Sequence, residues 1–313
     1  NLTLGTGADL LITGATPGTA SIDAEATAGA LLMSASSTMS SSGVGATARL
    51  KAGTSVTVGD IALAAGSVSI TAGTSILDAD PLTGGTTNDT NQDITAVSLR
   101  LNAGTVMADS VNQLETTVGS LTASSAGSVY LLEADDLTVG SVAVSVNRVG
   151  SAAGVSTVTD AAQADVRTSA NGNIVLRSTA GDLTLTDGNT DGVALSANGS
   201  GNVLVQAMNA GKSITVSADV MAGAQRVERH ALDVGQVAHR EVAVLRLAGR
   251  DGKAAIAQDG GRDAQRRRGM HDELVAVAVE ARAIASARRD AAAPHQAARS
   301  FILQNEQVAL FAA

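Results

Sequence analysis

One phrase recurs along the first two thirds of this chain: a glycine-led turn, then a short run in which aliphatic and small polar residues alternate. It is clearest over 172–220. There it reads Gly172-Asn173-Ile174-Val175-Leu176, Gly181-Asp182-Leu183-Thr184-Leu185, Gly192-Val193-Ala194-Leu195, Gly201-Asn202-Val203-Leu204-Val205 and Gly211-Lys212-Ser213-Ile214-Thr215-Val216. The leading aliphatics Ile174, Leu183, Val193, Val203 and Ile214 follow one another at nearly even steps. Taken two steps at a time, this predicts a repeat of about 20 residues, a period typical of stacked repeat architectures.

The same phrase stands upstream at Gly53–Val58, Gly66–Ile70, Gly127–Leu131 and Gly140–Val144, with weaker copies at Ala8–Ile12 and Gly29–Met33. Its period is two, so Val68 and Ile70 point one way and Ser67, Ser69 and Thr71 the other, as in a strand. Val, Ile and Thr suit a pleated surface. Glycine at each border supplies backbone freedom that would interrupt a helix. One such strand buries almost nothing, but a stack of many buries a continuous aliphatic ladder. Small outward side chains let successive strands lie at the spacing of about 4.8 Å that pairing requires. The reading is therefore an all-β parallel β-helix over residues 1–222, of about ten coils. Residues 34–48 and 82–95, rich in Ser, Thr, Gly and Asn, are expected as long turns or insertions.

Composition changes near residue 222. Residues 1–222 hold seven of the 21 Lys and Arg and 19 of the 30 acids, a net charge of −12; residues 223–313 carry +3, all four histidines and both phenylalanines. This marks 223–313 as a separate Arg/Ala-rich tail, irregular or partly helical. Leu274–Arg289 is its candidate helix. The loss of phrasing after Val220 is also what an out-of-frame translation of a GC-rich gene produces. The chain opens on repeat-like material at Asn1, with no signal peptide visible, and is read as cut from a longer protein. No apolar run reaches the ~20 residues of a membrane helix. The overall charge of −9 argues against nucleic acid as a partner. With no Trp, one Tyr and two Phe, the chain has no aromatic platform for stacking sugars or bases.

The Gly-[Ser/Asn/Asp]-aliphatic-x-aliphatic phrase over residues 1–222 resembles the haemagglutinin-type repeats of filamentous haemagglutinins, two-partner-secretion exoproteins and autotransporter passengers. That resemblance implies a right-handed parallel β-helix. It also implies a secreted or outer-surface protein of a Gram-negative bacterium, serving as adhesin or rigid stalk toward a host-cell, matrix or glycan receptor. A repetitive surface-layer or matrix component without a receptor is the structural alternative.

Residues 1–222 contain neither His nor Cys. Ser-His-Asp triads, thiol nucleophiles and His-ligated zinc are thereby excluded there, and carboxylates alone remain. Asp187-Gly188-Asn189-Thr190-Asp191-Gly192 matches the opening of a calcium loop, making Asp187, Asn189 and Asp191 candidate calcium ligands. The bidentate Glu expected at the twelfth position is replaced by Asn198, and a turn in which Asp and Asn bond their own backbone is the plainer reading. Glu133, Asp135 and Asp136 form an acidic cluster beside Tyr130, and Asp78 with Asp80 another; a β-helical polysaccharide lyase or hydrolase would need paired carboxylates, or calcium with a basic proton acceptor. Without basic neighbours or a sugar shelf they read as solvated loops, and the chain as no enzyme. Short outward Thr and Ser runs, as in ice-binding ladders, are interrupted by Ala, Asn and Arg. In the tail, Arg262 with Arg266-Arg267-Arg268 and His271-Asp272-Glu273 fit no ligand motif.

Overall fold

The computed structural model describes residues 1–13, 20–41, 43–82, 88–89 and 91–223, and the backbone of 244–248, 253–257 and 308–312. Among them there is no helix; every regular element is a strand. The strands pair in parallel, apart from two antiparallel hairpins. That much of the expected architecture, all-β and predominantly parallel, is present, and it is compatible with a β-helix.

Three ladders carry the pairing. In the first, Leu2–Leu4 lies beside Leu31–Met33, then Val56–Val58 and Ile76–Asp78. Single bridges through Met107 lead on to Val129–Glu133, Ile174–Ser178 and Val203–Ala207. The backbone of Val308–Ala312 pairs beyond Val203–Ala207. The second runs from Asp9–Ile12 through Thr38–Ser41 to the opening residues of Asp60–Ala72 and Ile94–Ala103. Leu137–Val139 pairs with Ser120 and Leu121 of the strand Leu114–Ser125, and Leu183–Leu185 and Ile214–Val216 follow it. The third joins Ser21–Ala26, Thr47–Ala52, the second halves of Asp60–Ala72 and Ile94–Ala103, and then Leu114–Ser125 and Val166–Thr168.

Register shows why these sequences stack. Leu2, Leu31, Val56, Ile76, Met107, Val129, Ile174 and Val203 oppose one another in succession down the first ladder. Leu50, Ile70, Leu101, Ala123 and Val166 do so down the third. All but Leu2 are nearly or fully buried in one aliphatic cluster. No strand holds a core alone; each inward residue is covered by its counterparts on the passes before and after.

Over 172–220 three phrases, not two, make one pass. Ile174 opposes Val203, two phrases having intervened, and Leu183 opposes Ile214 in the same way. Side chains in the same register show the span: Asn202 donates to Asn173 across a separation of 29, and Ser213 to Asp182 across 31. Elsewhere the passes are shorter. Leu99 opposes Leu121, and the Glu115 N–H reaches Asp93 in that register across a separation of 22. Val56 opposes Ile76 in a pass tighter still. The expected two-phrase unit of about 20 residues is therefore present at Val56–Ile76 and corrected over 172–220, and the first ladder makes eight passes before residue 222. The turn expected over 34–48 likewise contains the strand Thr38–Ser41 and the start of Thr47–Ala52. The expected helix at Leu274–Arg289, the Arg262 and Arg266–Arg268 run and His271–Glu273 lie outside the described residues.

Glycine is obligatory at one corner. A Cβ on Gly73 would sit 2.1 Å from the Gly53 carbonyl oxygen, and one on Gly104 would sit 2.0 Å from that of Gly73. The column resumes at Gly127, Gly172 and Gly201, the last 2.1 Å from the Gly172 oxygen. Here one backbone rests directly on the next, and any side chain would wedge them apart.

The phrase at Gly140–Val144 belongs to a different structure. Ser141–Val149 and Val155–Ala164 form an antiparallel hairpin that leaves the ladders after Gly140 and returns at Asp165. It lies across the outer face of the third ladder, touching Ser21–Ala26, Thr47–Ala52 and the strands that follow. Val142, Val144 and Val146 are buried, while Val149 and Val155 at the tip are exposed. Beneath it, Ser69, an outward residue of its strand, is fully buried.

Candidate functional site

The hairpin is fixed by charge. Arg49, on the second pass, reaches Asp23 at 2.9 Å and Asp160 of the hairpin at 3.0 Å. Arg148 of the hairpin returns to Asp23 at 2.5 Å and to Glu25. Ser69 donates to Asp160 at 2.6 Å, Arg100 donates to the Ala161 carbonyl at 3.1 Å, and Gln163 donates to that of Leu101 at 2.7 Å. Outward residues of successive strands thus become a continuous polar seam.

A second concentration lies where the first ladder meets the second. Asp78 ends the strand Ile76–Asp78, Asp93 immediately precedes Ile94–Ala103, and Glu115 is the second residue of Leu114–Ser125. Ile94 opposes Thr116, so Asp93 and Glu115 fall side by side on adjacent passes. One carboxylate oxygen from each of Asp78, Asp93 and Glu115 lies within 4.8 Å of the others. Asp93 and Glu115 are each 1% exposed; Asp78 is half-buried. Asp80 and Asp89 stand beside them and complete the acidic group. None of its members makes a salt bridge among the described residues.

The local hydrogen bonds hold these acids without satisfying them. Asp78 accepts from the Asp80 N–H at 2.7 Å and from Asn112 Nδ2 at 2.6 Å. Asp93 accepts from the Glu115 N–H at 2.7 Å, and Glu115 from Asn88 Nδ2. Asp93 Oδ1, Glu115 Oε2, Asp89 Oδ2, Asn112 Oδ1 and Gln113 Oε1 are buried and accept no hydrogen bond from the protein. Burial pushes the carboxyl of Asp78 up to about 6, and those of Asp93 and Glu115 higher still, and the neighbouring acids add to the rise at Asp93. Desolvation and like charge both oppose ionisation here.

The calcium loop read from sequence is arranged differently. Asp187 and Asp191 gather with Asp165, which the sequence reading did not include, as a trio of carboxylates. Every oxygen of the trio is engaged. Asp187 accepts from the N–H groups of Asn189 at 3.0 Å and Gly192 at 2.6 Å. Asp191 takes the Val193 N–H at 2.9 Å, and Asp165 the Gly188 N–H at 2.8 Å. Arg167 supplies the positive charge, 2.6 Å from Asp165 and 2.5 Å from Asp191. Asn189 is exposed; its side-chain oxygen faces the Asp191 N–H at 3.3 Å. Asn198, at the twelfth position, is exposed.

The third acidic group is divided. Asp135 and Asp136 are exposed, Asp136 beside Lys212 at 3.3 Å. Glu133, expected in a solvated loop, is fully buried, because its alternation with Val129 and Leu131 turns it inward. It accepts from Thr116 Oγ1 at 2.7 Å and from the N–H groups of Val118, Ala134 and Asp135.

Sequence reasoning found Asp78 and Asp80 but missed Asp93 and Glu115. The available signal was their separation of 22, which matches the register of Ile94 with Thr116. No protein-family model matches this chain, and neither the curated proteins nor the solved structures provide a match.

Proposed function

We propose that residues 1–222 are a parallel β-helix and that the chain is part of a large secreted bacterial surface protein, working as a repetitive rigid stalk for attachment. The observation that carries this reading is the aliphatic stack from Leu2 to Val203, in which each successive pass contributes one residue to a single line. Such a stack gains stability by extension. Repetition along a stiff axis supplies avidity where single contacts are weak. The acidic, Lys-poor surface favours solubility and discourages lateral association. Residues 223–313 form the separate tail on this reading, and translating the coding DNA in its other frames beyond Val220 tests whether they belong to the repeat.

The deciding experiment is binding of the labelled full chain to cultured host cells and to extracellular-matrix glycans. Saturable, competable binding is expected. Binding that stays at background would leave a surface-layer or matrix component without a receptor. Turnover of pectin or related polymers that disappears in Asp135→Ala and Asp136→Ala would replace the stalk reading with a β-helical enzyme.

A further inference from the structure

We propose that Asp78, Asp93 and Glu115 bind a calcium ion, which ties together the ends of the three strands that carry them. Three independent features converge on this assignment. The first is geometry: oxygens from the three carboxylates lie within 4.8 Å of one another, a separation one cation can bridge. The second is the missing counter-charge. The basic side chains of Arg49, Lys51, Arg148, Arg167 and Lys212 make their ion pairs elsewhere, and Arg100 and Arg177 donate to the Ala161 carbonyl and to Gln206, so among the described residues no cation serves these acids. Buried carboxylates demand pairing, metal coordination or protonation. The third is orphaned acceptors. Asp93 and Glu115, both more than nine-tenths buried, each keep one oxygen that no N–H or hydroxyl donor reaches, although the Asp93 carboxyl meets those of Asp78 and Glu115, and Asp89, Asn112 and Gln113 leave further oxygens unpartnered nearby.

The donor set selects the ion. Only oxygens are present, which suits a hard cation and not zinc or copper. Calcium accepts six to eight oxygens in flexible geometry, whereas magnesium requires a near-ideal octahedron and retains its waters. The Asp165, Asp187 and Asp191 trio provides an internal contrast: it has its own arginine and no orphaned oxygen.

The test uses the full chain, freed of metal with a chelator and titrated with calcium chloride at neutral pH by calorimetry, with thermal unfolding in parallel. One saturable site is expected, with a melting temperature that climbs with calcium concentration. Asp93→Asn combined with Glu115→Gln is expected to weaken binding by at least about tenfold, since calcium affinity follows ligand charge. Asp187→Asn is expected to leave binding unchanged. In chelator the double variant, relieved of repulsion, melts no lower than the wild type. Should the double variant fail to fold, Asp78→Asn carries the same expected loss of affinity. Neither heat nor a melting shift up to roughly 10 mM calcium, above the weakest extracellular modules, would overturn the site and leave an acid cluster kept neutral by protonation. Undiminished binding in the carboxamide variants would overturn it equally, and a response to magnesium equal to that of calcium would overturn the choice of ion.

Discussion

Replacing Arg49 with methionine tests whether the hairpin is a strap or an ornament. The side chain is 5% exposed and faces Asp23 at 2.9 Å, Asp160 at 3.0 Å and Glu25 at 3.4 Å. Methionine keeps most of the aliphatic stem and removes the charge. Breaking a buried pair from one side costs ~3–5 kcal/mol, because the remaining carboxylate stays desolvated. Asp23 keeps Arg148, and Asp160 keeps the Ser69 hydroxyl. The lower end, about 3 kcal/mol, is therefore expected. Lys51, 44% exposed and 3.8 Å from Glu25, is the control, and its replacement should cost under about 1 kcal/mol. Urea unfolding followed by far-ultraviolet circular dichroism is the assay, since guanidinium chloride would itself screen the pairs. Combining Arg49→Met with Asp160→Asn should recover about 1–3 kcal/mol of coupling. A cost for Arg49→Met below about 1 kcal/mol, or additivity with Asp160→Asn within about 0.5 kcal/mol, would refute the argument.

Three further outcomes are expected. Gly104→Ala should destabilise by about 1–3 kcal/mol or more, because its Cβ meets the Gly73 backbone oxygen at 2.0 Å, while Gly154→Ala, with open space around it, should change the urea midpoint little. Leu101→Ala, fully buried in the third ladder, should cost ~2–5 kcal/mol by the same measurement. Burial pushes the Glu133 carboxyl up to about 8 from 4.5, so the folded chain keeps a proton there that the unfolded chain has released. Its contribution is therefore lost as pH rises from 4.5 to 8 and levels off above, and Glu133→Gln should remove about 1.4 kcal/mol per pH unit from the slope of stability across that window. An unchanged slope in the variant would count against a buried, protonated Glu133.

Strand identity was legible because it is local: Val68 and Ile70 inward, Ser67 and Thr71 outward, follows from a period of two. Which strand lies on which was not. Pass length is not constant, since Val56 meets Ile76 but Ile174 meets nothing in this ladder before Val203. The hairpin over 141–164 shifts everything after it. Asp78 and Asp80 were visible as neighbours in sequence, but Asp93 and Glu115 meet them only through stacking. The hairpin was hidden by mimicry, since Gly140-Ser141-Val142-Ala143-Val144 reads like every other strand. Gly150 and Gly154 around its tip were the clue that the alternation reverses direction. Glu133 was misjudged for a related reason: three clustered acids look solvated, yet strand alternation assigns the first to the interior and leaves the other two in the turn.

A stack of passes ordinarily frays from its end, one pass at a time, because each touches only its neighbours. The hairpin abolishes that independence. Through Arg148 and Asp23 it closes a loop between residues 125 positions apart, and through Arg49 and Asp160 another spanning 111. The first pass therefore cannot peel away without also tearing off an element rooted between the strands 137–139 and 166–168. In a chain without cysteine this is a cross-link made of guanidinium and carboxylate, which joins distant passes in the folded chain but, unlike a disulfide, places no constraint on the unfolded one. Such a link re-forms after rupture without an oxidant. A segment stretched along its axis would accordingly yield as one block and reclose as one block.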